Sequence, residues 1–159
     1  MSLKDQVVLV IGASSGIGRE TAAMLAREGA RVVASARRQD RLLDLQRELE
    51  AFPVAVLAAD ASKVEDMDRL VTFARDTFGP VDVLVYVTGT NTPDRSMKRL
   101  TPPIWDMMIG VNLNGAYYAT QAVLPEMRTR GSGYLIYVSS VSGLAPDLSG
   151  AAYQASKRG

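Results

Sequence analysis

Short runs of apolar, mostly β-branched residues punctuate this chain, and stretches of helical spacing separate them. Val7-Val8-Leu9-Val10-Ile11 opens the series and is closed by Gly12. A run without polar alternation reads as a strand covered on both faces, as in a parallel sheet. Comparable runs recur at Val32-Val33-Ala34, Val54-Ala55-Val56-Leu57, Val83-Leu84-Val85-Tyr86 and Tyr134-Leu135-Ile136-Tyr137-Val138. Between them the spacing predicts helices over Ile17 to Glu28, Gln39 to Glu50, Lys63 to Phe78, and one long helix from about Pro103 to Arg130. The third shows its stripe plainly, with Val64, Met67, Leu70, Val71 and Ala74 at helical intervals and charges between them. Gly29, Gly79-Pro80 and Gly131-Ser132-Gly133 supply the stops, and Thr92-Pro93-Asp94-Arg95 reads as an exposed loop.

Strand and helix alternating in this way predict right-handed βαβ units and a doubly wound α/β fold. The expected strand order is 3-2-1-4-5, within a single domain spanning residues 1–159. A length of 159 residues with 47% apolar composition suits one core.

Composition removes several chemistries. The chain holds no Cys and no His, so there is no disulfide framework, thiolate nucleophile, Ser-His-Asp triad or ordinary zinc site, and no metal is expected. Acid–base work near neutral pH is left to a carboxylate, a Lys or a Tyr. A net charge of +1 with scattered Lys and Arg argues against nucleic acid as a partner. No apolar run approaches the roughly 20 residues of a membrane span, and the N-terminus lacks a signal-peptide plan. A cytoplasmic protein is expected.

Directly after the first strand comes Gly12-Ala13-Ser14-Ser15-Gly16-Ile17-Gly18, opening a helix. Such a turn lets backbone approach a pyrophosphate while helix N-terminal N–H groups face its oxygens. It also serves as a plain small-residue connection. At the end of the second strand, where an acidic residue would hold a ribose 2′-hydroxyl, stands Ser35-Ala36-Arg37-Arg38. A guanidinium pairs with a 2′-phosphate that a carboxylate would repel, so NADP(H) is expected over NAD(H), which stays possible. The bland alternative is that Arg37 and Arg38 decorate a helix start. Asp60 closes the third strand, where it can contact a ligand; Asp60 or Ser62 can instead cap the next helix, and Asp60 can do both.

Tyr153 and Lys157, four apart, stack on one face of a helix. An ammonium beside a phenol favours the phenolate, so such a Tyr can protonate a carbonyl oxygen or deprotonate an alcohol. Ser140 follows the fifth strand, where a hydroxyl can hold a substrate oxygen. Asn112 falls inside the long fourth helix, where an amide can support a water-mediated proton relay. An ordinary loop serine and a polar helix position are the plain alternatives.

Taken in register, the glycine turn with Gly-x-x-x-Gly-x-Gly spacing, Asp60, Asn112, Ser140 and Tyr153/Lys157 resemble the short-chain dehydrogenase/reductase family from about Lys4 onward. The resemblance implies an oxidoreductase moving a hydride between NADP(H) and a carbonyl or alcohol substrate. Its catalytic set would be Asn112, Ser140, Tyr153 and Lys157, with Lys157 also on the nicotinamide ribose. Gly12, Gly16, Gly18, Asp60 and Gly89 would line the cofactor, with Ser14, Ser15, Ile17, Arg37, Arg38 and Ala61 beside them. Two departures stand out: Ile11 where the family has Thr, and Tyr86-Val87-Thr88-Gly89 where it has Asn-Asn-Ala-Gly. Polar contacts in mid-sheet are therefore expected to be missing at two places. Family members run on for roughly another 90 residues, so the fold is expected to lack the C-terminal strands and to leave the fifth strand as a bare edge. Either the chain is truncated or partner copies cover it. The exposed edge and an apolar-rich fourth helix point to a homo-oligomer, dimer or tetramer. The rival reading is a nucleotide-binding module without turnover; a folded fragment that binds nothing is the third.

Overall fold

The computed structural model describes residues 3–159. Five strands, β1 (Val7–Ile11), β2 (Arg31–Ala36), β3 (Val54–Ala58), β4 (Val83–Tyr86) and β5 (Tyr134–Tyr137), form one sheet in the order β3-β2-β1-β4-β5. Every pairing is parallel, with Leu9 on β1 opposite Val33 on β2 and Leu84 on β4. The helices are α1 (Gly16–Arg27), α2 (Gln39–Glu48), α3 (Val64–Phe78), α4 (Pro102–Ile109), α5 (Gly115–Arg130) and α6 (Ala151–Arg158).

Side-chain alternation along the strands builds two cores, one on each face. Val8, Val10, Val32 and Ala34 pack with Ala22 and Ala26 of α1 and Leu42 and Leu45 of α2. Leu9, Ile11, Val33 and Leu84 pack with Met67 and Leu70 of α3 and Val123 and Met127 of α5. The continuous apolar runs are thus explained: both faces of β1 are buried throughout. Strand order reverses between β1 and β4, and a doubly wound sheet opens its ligand crevice at the carboxyl ends of the strands flanking that point.

The expected strands and the first three helices appear within a few residues of their predicted bounds, and only Val64 of the α3 stripe is exposed, at the first helical position. The long fourth helix differs. It is interrupted by a wide π-helical turn over Gly110–Asn114, where the Gly115 N–H reaches back five residues to the Gly110 carbonyl. Two glycines bracket the turn and offer little helix propensity, and π-turns concentrate at functional sites. Gly131 ends α5 in the left-handed region, at φ 66° and ψ 19°, which a glycine adopts without a Cβ penalty.

Beyond β5 no further strand pairs among the described residues, and Tyr134 and Ile136 on it are 51% and 49% exposed. Trp105 and Tyr117 on the α4–α5 face are also exposed, whereas Met108, Val123 and Met127 are buried. No helix among the described residues is long and apolar enough to cross a membrane, and no acidic cluster there would hold a metal ion.

Candidate active site

The carboxyl ends of β1, β2, β3 and β4 open into one cleft of about 820 Å³. Its floor depends on two close approaches. At Gly12, φ is +107°, and a Cβ there would lie 2.8 Å from the Thr88 backbone nitrogen. Only glycine lets the turns after β1 and β4 touch. Gly18 lies against the Gly12 carbonyl with no room for a side chain, which draws the start of α1 onto the turn.

The start of α1 is left uncapped. Ser15 stands at the N-cap position, yet its side chain makes no cap bond. The Ser14 and Ser15 hydroxyl oxygens instead accept from the Arg38 guanidinium at 2.9 and 2.8 Å. The first-turn N–H groups therefore keep their donors for whatever enters the cleft, and the space beside Gly16 is open. That is the chemistry a pyrophosphate needs, and the residues present fit a dinucleotide cofactor.

Arg37 and Arg38 divide at the rim. Arg38 is tied to the glycine turn, while Arg37 lines the cleft and makes no hydrogen bond or salt bridge among the described residues. Asp60 also lines the cleft, and its Oδ1 accepts from the Ser62 N–H at 3.0 Å and the Ser62 hydroxyl at 2.8 Å. Lys63, not Asp60 or Ser62, is the N-cap residue of α3. Burial works to raise the Asp60 carboxyl, but the two Ser62 bonds, helped by Arg37 and Lys63, outweigh it and hold it below the ordinary carboxylate value. Ala61 and Ile17 line the same cleft.

At the opposite end, Tyr153 and Lys157 project from α6 into the cleft. The Lys157 ammonium donates to the Val138 carbonyl at 3.0 Å, and the Ser139 hydroxyl fastens the Lys157 backbone carbonyl at 2.8 Å. Burial pulls the Lys157 ammonium below its ordinary value. Ser140 sits at the start of a short 3₁₀ turn, Val141–Gly143, accepting from the Ser142 N–H and donating to the Ser142 hydroxyl, both at 3.2 Å. Ser142 passes the chain on to the Asp147 carboxylate at 2.5 Å.

Ser140 does not line the cleft, and neither does Asn112. Buried in the wide turn, its amide clasps the backbone of Thr90, accepting from the N–H at 2.7 Å and donating to the carbonyl at 2.9 Å. It also donates to the Ser156 hydroxyl at 2.9 Å, which in turn donates to the Tyr153 carbonyl at 2.8 Å. Both amide N–H groups are thereby committed within the protein, so the side chain joins the segment after β4 to α6. No sequence pattern marks Thr90, Ser156 or Asp147, because their partners lie 22, 44 and 5 residues away in irregular segments or across elements. The polar contact expected to be missing at Tyr86 is present in another form: its phenol donates to the Val111 carbonyl at 2.5 Å.

The family model described as short chain dehydrogenase matches residues 6–159. An uncharacterized oxidoreductase of Staphylococcus saprophyticus is 39% identical over 142 residues, covering 89% of this chain and 57% of that protein. An uncharacterized oxidoreductase of Staphylococcus aureus is 36% identical over 155 residues, covering 98% of this chain and 67% of its own length. The crystal structure of gox2181 superposes with a TM-score of 0.94 at 28% identity, over 99% of this chain and 63% of that one. A variant of actinorhodin polyketide ketoreductase with NADPH gives a TM-score of 0.92 at 34% identity, over 97% and 60% of the two chains. The chain thus spans about three fifths to two thirds of the proteins it resembles.

Proposed function

The chain belongs to the short-chain dehydrogenase family, and on that premise we propose that it carries the cofactor site and proton-transfer residues of an NADP(H)-preferring oxidoreductase acting on a carbonyl/alcohol pair. One observation carries the reading. An uncapped helix N-terminus and an unpaired guanidinium open on the same cleft as Tyr153 and Lys157.

The α1 N–H groups, with Gly12, Gly16 and Gly18 shaping the turn, would hold the pyrophosphate, and Asp60 and Ala61 would flank the adenine end. Arg37 would pair with the 2′-phosphate, and the ketoreductase neighbour solved with NADPH supports that preference. The cofactor, when bound, supplies or accepts the hydride. Tyr153 gives a proton to the carbonyl oxygen in reduction and takes one from the alcohol in oxidation. Lys157, beside Gly89, holds the nicotinamide ribose. Ser140 orients the substrate oxygen, its O–H being spent only on a long 3.2 Å bond that it can exchange. The same reading is of a cytoplasmic homo-oligomer, and the exposed β5 residues support only the association.

Titrating this chain with NADPH and NADH by fluorescence, beside steady-state NADPH oxidation with a panel of ketones, tests the proposal. Tighter NADPH binding with turnover is expected. Binding without turnover would favour a nucleotide-binding module, the reading suited to a chain spanning 57% to 67% of its curated relatives. Absence of binding would overturn both.

A further inference from the structure

Tyr86 closes β4 and is buried, with its ring beneath the start of α5. A Cβ on Gly115 would fall inside the Tyr86 hydroxyl and lie 2.8 Å from the Ala61 carbonyl. Only a glycine at 115 admits the ring there. The hydroxyl donates at 2.5 Å to the carbonyl of Val111, in the middle of the wide turn. A π-turn disturbs the regular ladder of carbonyl partners, and here a side chain from the neighbouring strand supplies a donor inside it. The next residue is Asn112, which clasps both backbone groups of Thr90 and reaches Ser156 on α6. Thr90 follows Gly89, over which the Lys157 ammonium lies, and Ser156 bonds to the carbonyl of Tyr153.

We propose that Tyr86 is a positioning residue of the reaction centre. Its hydroxyl pins the wide turn at Val111 and so holds Asn112 in the geometry that ties the segment after β4 to the helix carrying Tyr153 and Lys157. The inference rests on the proposed oxidoreductase reading for its consequence in turnover, though not for the local geometry. Burial pushes the Tyr86 phenol well up, with the Asp60 carboxylate adding and Thr88 opposing, so the hydroxyl stays a donor across the working pH range. The size of the side chain also matters. A Phe keeps the packing and removes only the donor, which separates the hydrogen bond from the space filled.

The test compares wild type, Tyr86→Phe and Gly115→Ala by residue-resolved amide hydrogen exchange. The Thr90 amide, which donates to Asn112, should exchange about tenfold faster in Tyr86→Phe, the size one neutral hydrogen bond supplies. The β1 amides of Leu9 and Val10 should be unchanged. Gly115→Ala, which displaces the phenol from the helix side, should reproduce the pattern. Unchanged Thr90 exchange overturns the proposal, and so does equal acceleration at Thr90 and in β1, which reports general loosening. In turnover, Tyr86→Phe should lower kcat about tenfold with KM near wild type; an unaltered kcat also overturns it. A wild-type chain that binds no NADPH would instead refute the oxidoreductase reading, with the Thr90 result deciding the positioning role by itself.

Discussion

Gly89 and Lys157 meet because one of them has no side chain: a Cβ at Gly89 would lie 3.2 Å from the Lys157 ammonium nitrogen. The ammonium is thereby seated in the notch between the ends of β4 and β5, donating to the Val138 carbonyl at 3.0 Å. Gly89→Ala should move this flexible tip by a few tenths of an ångström without breaking the fold. Thermal stability is expected to stay within about 1 kcal/mol of wild type, since the lost glycine entropy offsets the crowding. NADPH affinity should fall several-fold. Parallel melting and titration of one preparation check both halves, and unchanged affinity would detach Gly89 from the cofactor.

Lys157 also sets a pH dependence. Its folded-state value lies below the ordinary 10.5 because of burial, so the unfolded chain binds more protons across the window between the two values. Wild-type stability should therefore rise with pH through that window and level off above 10.5. Lys157→Met removes the buried charge. Its urea midpoint should exceed wild type below the window, the gap closing as pH climbs through it, while NADPH binding and turnover are lost. A Lys157→Met protein less stable than wild type at neutral pH would show that the Val138 bond outweighs the burial.

The two arginines after β2 are expected to behave differently. Arg37→Asp should cost NADPH at least about tenfold in affinity, the scale of a charge-assisted hydrogen bond, and leave NADH nearly unaffected. Arg38→Ala should weaken both cofactors alike, because Arg38 braces Ser14 and Ser15 in the shared glycine turn. Equal losses for both cofactors at Arg37 would sink the assignment of the 2′-phosphate to it.

Tyr153→Phe removes only the hydroxyl and should lower turnover by about two orders of magnitude or more, with NADPH affinity kept. Steady-state rates beside a binding titration decide it. Near-normal turnover would mean that another group moves the proton.

The proposed self-association of this 159-residue chain is testable at β5. Tyr134, Ile136 and Tyr137 leave an apolar strand edge open, and such edges recruit other chains. Light scattering at micromolar concentration should report a species larger than 17.1 kDa. A stable monomer of that mass would show that the edge is tolerated in water.

What the sequence determined by itself is whatever short-range pattern encodes. The buried strands from Val7 and Val83 declare themselves by unbroken apolar runs, the α3 stripe by its period, and the order 3-2-1-4-5 by strict alternation with right-handed crossovers. The glycine turn and the Tyr153/Lys157 pair are equally local, each held within one turn or one helix. Tertiary structure alone decided which side chains spend their hydrogen bonds on the protein and which keep them for a ligand. Arg37 and Arg38 are adjacent and chemically identical, yet only Arg38 reaches the serines of the glycine turn. Asn112 reads in the sequence as a polar residue inside a helix that can support a proton relay; the π-turn and the approach of Thr90 and Ser156 make its amide a brace. These outcomes depend on distances between groups far apart in the chain, set by how helices seat on the sheet, and no spacing along the backbone carries that information.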